Sequence, residues 1–215
     1  MKLSSRLAFI SALTALVLLL PLILPSGSVG LAEDLQAGVH YELILPPVPQ
    51  PKGEKSVVEV FNFKCPHCFK LHPHMEAWAK SHQNSYRISS LPLFWGSQTD
   101  IPLRAYYAGE FLGKGAEMKR GIFKAYFKDS VNIESPDELD FLAEELGLNP
   151  EQFREYLNAF GVSAKIAQSK RQQQAFGVNS TPTLVVNGRY RVSYGQHAKG
   201  DPVTLFKIVE MLAAR

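Results

Sequence analysis

Apolar residues change their spacing along the chain, and the changes mark its elements. Val57, Val58, Val60, Phe61 and Phe63 form an almost unbroken run within 56–63, as in a strand buried on both faces. Glu59 interrupts it. Leu71, Met75 and Trp78 then fall at i, i+4 and i+7, which predicts a helix ending before the polar stretch 81–85 and kinked at Pro73. Tyr86 to Phe94 reads as a further strand. Upstream, Tyr41 to Leu45 is a short edge-strand candidate, and Pro46, Pro47, Pro49 and Pro51 after it cannot sit in a central ladder.

From Asp100 to about Phe176 the period is helical. Asp100 before Pro102, the capping box Ser135–Pro136–Glu138, and Asn149 before Pro150 predict helix starts, while Gly147 and Gly161 are expected to mark ends. Met118, Ile122, Phe123, Tyr126 and Phe127, with Phe153, Tyr156, Leu157 and Phe160, read as the packed core of this cluster. Thr183–Val186 and Arg189–Val192 flank Asn187–Gly188, a hairpin signal. Asp201–Pro202 opens a last helix carrying Leu205, Phe206, Val209 and Leu212.

Composition adds the compartment. Lys2 and Arg6, an apolar stretch from Leu7 to Leu24 and small residues at 26–32 read as an export signal, with a membrane anchor through residues 7–24 as the alternative. Removing residues 1–32 lowers the formal charge from +3 to +1, leaving 21 basic against 20 acidic residues, so no basic field for nucleic acid remains. Export implies an oxidising compartment.

The chain has two cysteines, both in the tetrad Cys65–Pro66–His67–Cys68 at the strand-to-helix junction. A bridge between such near neighbours constrains the unfolded chain little, so the pair reads as working redox chemistry. A helix start offers unpaired N–H groups and positive partial charge, which favour a thiolate at Cys65, the expected nucleophile. His67 is expected to donate a hydrogen bond or place a positive charge beside it, and Pro66 to fix the turn. Stabilising the thiolate stabilises only the reduced form, so each pKa unit below pH 7 adds about 1.4 kcal/mol, or roughly 30 mV of oxidising power. Such a pair in a strand–helix–strand unit, followed by hairpin and helix, indicates an α/β thioredoxin-like fold with an inserted all-helical subdomain. Its parts are 1–32 (signal peptide or anchor), 33–98 and 176–215 (thioredoxin-like), and 99–175 (helical insertion).

Val58 to Cys68 and Phe176 to Tyr190 together resemble the DsbA family of exported thiol:disulfide oxidases. The resemblance implies a cis Thr181–Pro182 bond facing the cysteines, with Thr181 offering backbone groups to a substrate peptide. It implies no cofactor beyond the Cys65–Cys68 disulfide. The implied partners are reduced unfolded proteins and a DsbB-like membrane reoxidant, and the protein is expected to be a periplasmic monomer. Glu59 matches the family's buried acid six residues before the first cysteine, thought to help proton transfer at the second; burial on the face shared with Val57 and Phe61 would penalise its charge. Threonine before the proline is common in related isomerases and reductases, which makes that chemistry the alternative.

Two other readings compete. Cys65, Cys68, His72 and His74 would form a zinc set, but the spacing lacks the loop separation of structural sites and Pro73 lies between the histidines. A non-catalytic holdase would use Phe63, Phe69 and Trp95 as apolar surface.

Overall fold

The computed structural model describes residues 34–51 and 53–215; the export-signal reading lies outside them. Residues 34–215 form one compact unit. The elements are β1 (Glu42–Leu43), β2 (Ser56–Phe61), α1 (Pro66–His82), β3 (Arg87–Pro92), α2 (Ile101–Phe111), α3 (Gly115–Phe127), α4 (Pro136–Glu145), α5 (Pro150–Leu157), α6 (Phe160–Phe176), β4 (Thr183–Val186), β5 (Tyr190–Ser193) and α7 (Pro202–Ala213). One sheet runs β1-β5-β4-β2-β3, with β2–β3 parallel and the other pairs antiparallel.

β2 lies inside the sheet, which is why its apolar run is nearly continuous. Phe61 joins Phe63, Cys68 and the apolar faces of α2, α3 and α5 in one core. Val57 packs with Leu71, Met75 and Trp78 of α1 and with α7 in a second. Val60 meets Leu91, Val185 and Phe176 in a third. The helices α2–α6 thus interrupt the sheet between β3 and β4 while sharing a core with the strand that leads to the cysteines.

Several local expectations change. β1 is shorter than Tyr41–Leu45, ending before the proline-rich stretch in which Pro46 has no N–H to pair. Asn149 accepts from the Gln152 N–H at 2.9 Å, and Asp201 from Val203 and Thr204 at 3.3 and 2.8 Å. Asp100 and Ser135 make no side-chain cap bond. The Asp100 carboxylate is held instead by Arg104, 3.0 Å away. Gly161 does not end a helix but sits in the first turn of α6, where a Cβ would meet the Phe111 ring at 3.2 Å. Phe160, the first residue of that helix, is 88% exposed rather than core.

The hairpin follows its signal: Asn187 and Gly188 take φ of 51° and 62°, the left-handed pair of a tight turn. A Cβ on Gly188 would also collide with the Val48 carbonyl. Gly188→Ala is therefore expected to cost about 1–3 kcal/mol; urea unfolding that leaves the midpoint unchanged would contradict this packing.

Candidate active site

The turn that presents the cysteines is built by Asn62. This residue is buried where β2 ends, and its Nδ2 donates to the Leu93 carbonyl at 2.9 Å and to Gln98 Oε1 at 2.7 Å. Its Oδ1 accepts from the Lys64 N–H at 2.7 Å and its carbonyl from the Cys65 N–H at 3.1 Å. Sequence reasoning passed over Asn62; the available signal was an Asn just before the tetrad, a residue whose side chain closes turns on its own backbone.

Cys65 is the N-cap of α1, with extended φ and ψ of −88° and 116°, and Pro66 follows at the first helical position. Both cysteines are free thiols; Cys65 is half-buried and Cys68 fully buried. The Cys68 thiol donates to the Cys65 sulfur, and this bond is the largest influence drawing the Cys65 pKa down from 9.0 to about 5. The backbone N–H groups of Cys68 and His67 act the same way, and partial burial opposes them. Burial, followed by the interaction with Cys65, pushes the Cys68 thiol far up. The two sulfurs are therefore split into a thiolate facing solvent and a thiol that holds its proton.

His67 is exposed, and its ring makes no hydrogen bond among the described residues. Its backbone N–H is among the groups that draw the Cys65 pKa down, whereas the ring bond expected from the sequence is not made. The reason is geometric: in the first turn of a helix the N–H points back toward the N-cap while an exposed side chain points out.

The Thr181–Pro182 bond is cis, and the Thr181 carbonyl lies 3.4 Å from Cys65 Sγ, positioned to accept from its S–H. The loop between α6 and β4 is fixed at both ends. Gly177 closes α6 at φ 62°, and Arg191 Nη1 donates to the Phe176 carbonyl at 3.0 Å and also to that of Gly177. On the far side of Pro182, its carbonyl accepts from the Tyr194 N–H at 3.1 Å. The fold thus brings Cys65, Cys68 and Thr181 together from the two ends of the interrupting helical segment.

Glu59 is a separate neighbourhood. It is 2% exposed, as its position in β2 predicts, but it is not alone: Lys119 of α3, 6% exposed, places Nζ 2.6 Å from Oε2. Ser90 Oγ donates to the same oxygen at 3.3 Å and accepts from Lys119 at 3.1 Å. Lys119 also lies 4.1 Å from the centre of the Phe61 ring. Sequence reasoning missed Lys119 because it belongs to an amphipathic helix 60 residues away, where a lysine reads as surface.

The competing sets come apart. His72 is buried with its ring 5.1 Å from Phe123, and burial, followed by the Lys119 charge, holds its pKa low. His74 points from the exposed side of α1, and no three His, Cys, Asp or Glu residues gather as a metal-holding group among the described residues. Of the three aromatics, Phe63 is buried core, Trp95 packs on a different cluster, and Phe69 is partly buried on the same core as Cys65. No described helix is long and apolar enough to cross a membrane.

Residues 56–198 match the family described as DSBA-like thioredoxin domain. The thiol:disulfide interchange protein DsbA of Pseudomonas aeruginosa is 30% identical over 86% of this chain and 88% of that protein. The corresponding protein of Azotobacter vinelandii is 30% identical over 83% of each. Among solved structures, Pseudomonas aeruginosa DsbA superposes with a TM-score of 0.78 at 27% identity, covering 85% of this chain and 95% of that one. The oxidoreductase DsbA from Xylella fastidiosa gives 0.76 at 29%, covering 84% and 97%. A thioredoxin-like sheet interrupted by helices, with a cysteine pair at the head of α1, and these similarities together place the chain in the DsbA family of thiol:disulfide oxidoreductases.

Proposed function

We propose that this oxidoreductase works as an oxidase, donating its Cys65–Cys68 disulfide to folding proteins. A substrate thiolate attacks Cys65 Sγ and breaks the Cys65–Cys68 bond. Cys68 leaves with the electron pair and takes up a proton, which burial strongly favours. The substrate's second thiolate then attacks the substrate sulfur of the mixed disulfide and expels Cys65 as a thiolate. Two electrons pass to the protein and one disulfide to the substrate. The observation that carries this reading is the placement of half-buried Cys65 at the head of α1 with Cys68 buried behind it; this draws the Cys65 pKa down to about 5 and makes Cys65 a good leaving group and the disulfide a strong acceptor.

In this reading Pro66 presets the turn, the His67 N–H supports the thiolate, and Thr181 and Pro182 present a backbone edge to the substrate chain. Glu59, tied to Lys119, serves as the buried acid that assists the proton at Cys68. The cysteines and Pro182 belong to segments 33–98 and 176–215, and the insertion 99–175 covers one side. The work is done as a monomer in the periplasm after export, with a DsbB-like membrane protein as reoxidant.

Oxidised protein mixed with a reduced, unfolded two-cysteine protein is expected to introduce the disulfide stoichiometrically. Reduced Cys68→Ser mixed with a single-cysteine form of that substrate, activated as its thionitrobenzoate disulfide, should expel thionitrobenzoate and accumulate the Cys65–substrate adduct, read by mass spectrometry under non-reducing conditions. No disulfide transfer and no adduct would refute the proposal. Thr181 supports the second reading, an isomerase or reductase, which a low reduction potential would favour.

A further inference from the structure

A groove of about 660 Å³ opens between α1 and α3, on the flank of the nucleophile's helix. Its apolar lining includes Phe69, Pro73, Phe123 and Leu146. One end adjoins the candidate active site: the Phe69 N–H donates to the Cys65 carbonyl at 3.1 Å, and both residues pack on the same core. Phe69 is held in place by stacking on Phe127, with ring centres 4.7 Å apart.

The rim is basic once its internal pairs are set aside. Arg120 is paired with Glu76 at 2.8 Å, Lys124 with Asp129 at 2.7 Å, and Glu117 with Lys114 at 3.5 Å. Lys70 lines the groove and Lys128 lies 5.6 Å from the centre of the Phe69 ring; both are exposed, and neither has an ion pair among the described residues. Pro73 adds a polar handle. It has no N–H, so the Phe69 carbonyl lacks its usual helical donor on a wall that both residues form.

We infer that this groove receives the client chain beside its reacting cysteine, taking one large apolar side chain and a carboxylate next to it. The inference rests on the oxidase reading only in that Cys65 forms the mixed disulfide. The reach follows from geometry. Pro73 is eight residues along α1 from Cys65, about 12 Å at 1.5 Å per residue. An extended chain covers that in roughly three or four residues, so the preference belongs at the third and fourth positions from the client cysteine. Lys70 and Lys128 meet the carboxylate, and the Phe69 carbonyl accepts a client backbone N–H. An apolar side chain within a few residues of a cysteine is buried in a finished protein and exposed in an unfolded one, so the groove would select clients that have not yet folded.

The test compares two reduced two-cysteine peptides that differ only at those positions, Phe–Glu in one and Ser–Lys in the other. Oxidised wild-type protein is expected to show a KM about tenfold lower for the Phe–Glu peptide, the net effect of partly burying one large side chain. In K70E/K128E, two exposed positions, a Phe–Lys peptide should overtake Phe–Glu. Equal KM values for wild type overturn the groove while leaving the oxidase intact. Binding is read independently by backbone NMR with a Phe–Glu peptide carrying serine for both cysteines. Shifts at Phe69, Gly121 and Leu146 sustain the groove even if neither peptide is oxidised, an outcome that would remove the proposed function instead. Shifts confined elsewhere overturn it.

Discussion

Lys119→Met is expected to destabilise the protein by about 3–5 kcal/mol, because it leaves the Glu59 carboxylate buried with no cation. Oε1 of Glu59 already lacks a hydrogen-bond partner among the described residues, so Oε2 carries the whole compensation. Ser90 remains as a donor at 3.3 Å but brings no charge. Folded proteins are stable by only about 5–15 kcal/mol, so this loss is a large share of the total. At about 2–4 °C per kcal/mol for a domain of this size, the Tm should fall by roughly 6–20 °C. Glu59→Gln combined with Lys119→Met removes both charges, and most of the loss should return, since a neutral pair has far less hydration to lose. A single variant within 1 kcal/mol of wild type in urea unfolding would mean that the pair is wet.

Titration of Cys65, followed by thiolate absorbance at 240 nm, is expected to show a midpoint near pH 5 with Cys68 silent. The folded pKa lies below the unfolded one, so ionisation stabilises the reduced protein. That contribution is fully present above about pH 9 and is lost as pH falls through about 5. Oxidised protein has no thiol to ionise and should not show it. Two units below pH 7 would amount to about 2.7 kcal/mol, but Cys65 is half-buried and solvent screens part of the effect. A gain on the order of 1–2 kcal/mol, or roughly 20–40 mV, is the expected size. His67→Ala should move the midpoint little, since the backbone N–H survives the substitution. A rise of a unit or more would return the ring to the role that the sequence suggested.

The order of elements was legible because each leaves a local trace: the apolar run of β2, the i, i+4, i+7 face of α1, the Asn187–Gly188 turn and the Asp201 cap. The tetrad at the strand-to-helix junction located the chemistry for the same reason, since its residues are contiguous. What was not legible depends on residues far apart. Lys119 reaches Glu59 across 60 positions, and Arg191 reaches the end of α6 from β5. The contribution of His67 was legible in residue but not in atom, because backbone donors exist at every position and only the helix start directs this one at Cys65. Gly161 misled because glycine serves helix ends and close packing alike.

The proposed oxidant character rests on the split between Cys65 and Cys68, and the equilibrium of the protein with glutathione as a function of pH reads that split. The potential at pH 7 should stand well above thioredoxin's value of about −270 mV. It should fall by about 30 mV per pH unit above pH 5, where one proton accompanies two electrons, and by about 60 mV per unit below it, where two do. A potential near that of thioredoxin, with the break displaced toward neutral pH, would mean that the two sulfurs are not split in this way and that the protein is not an oxidant.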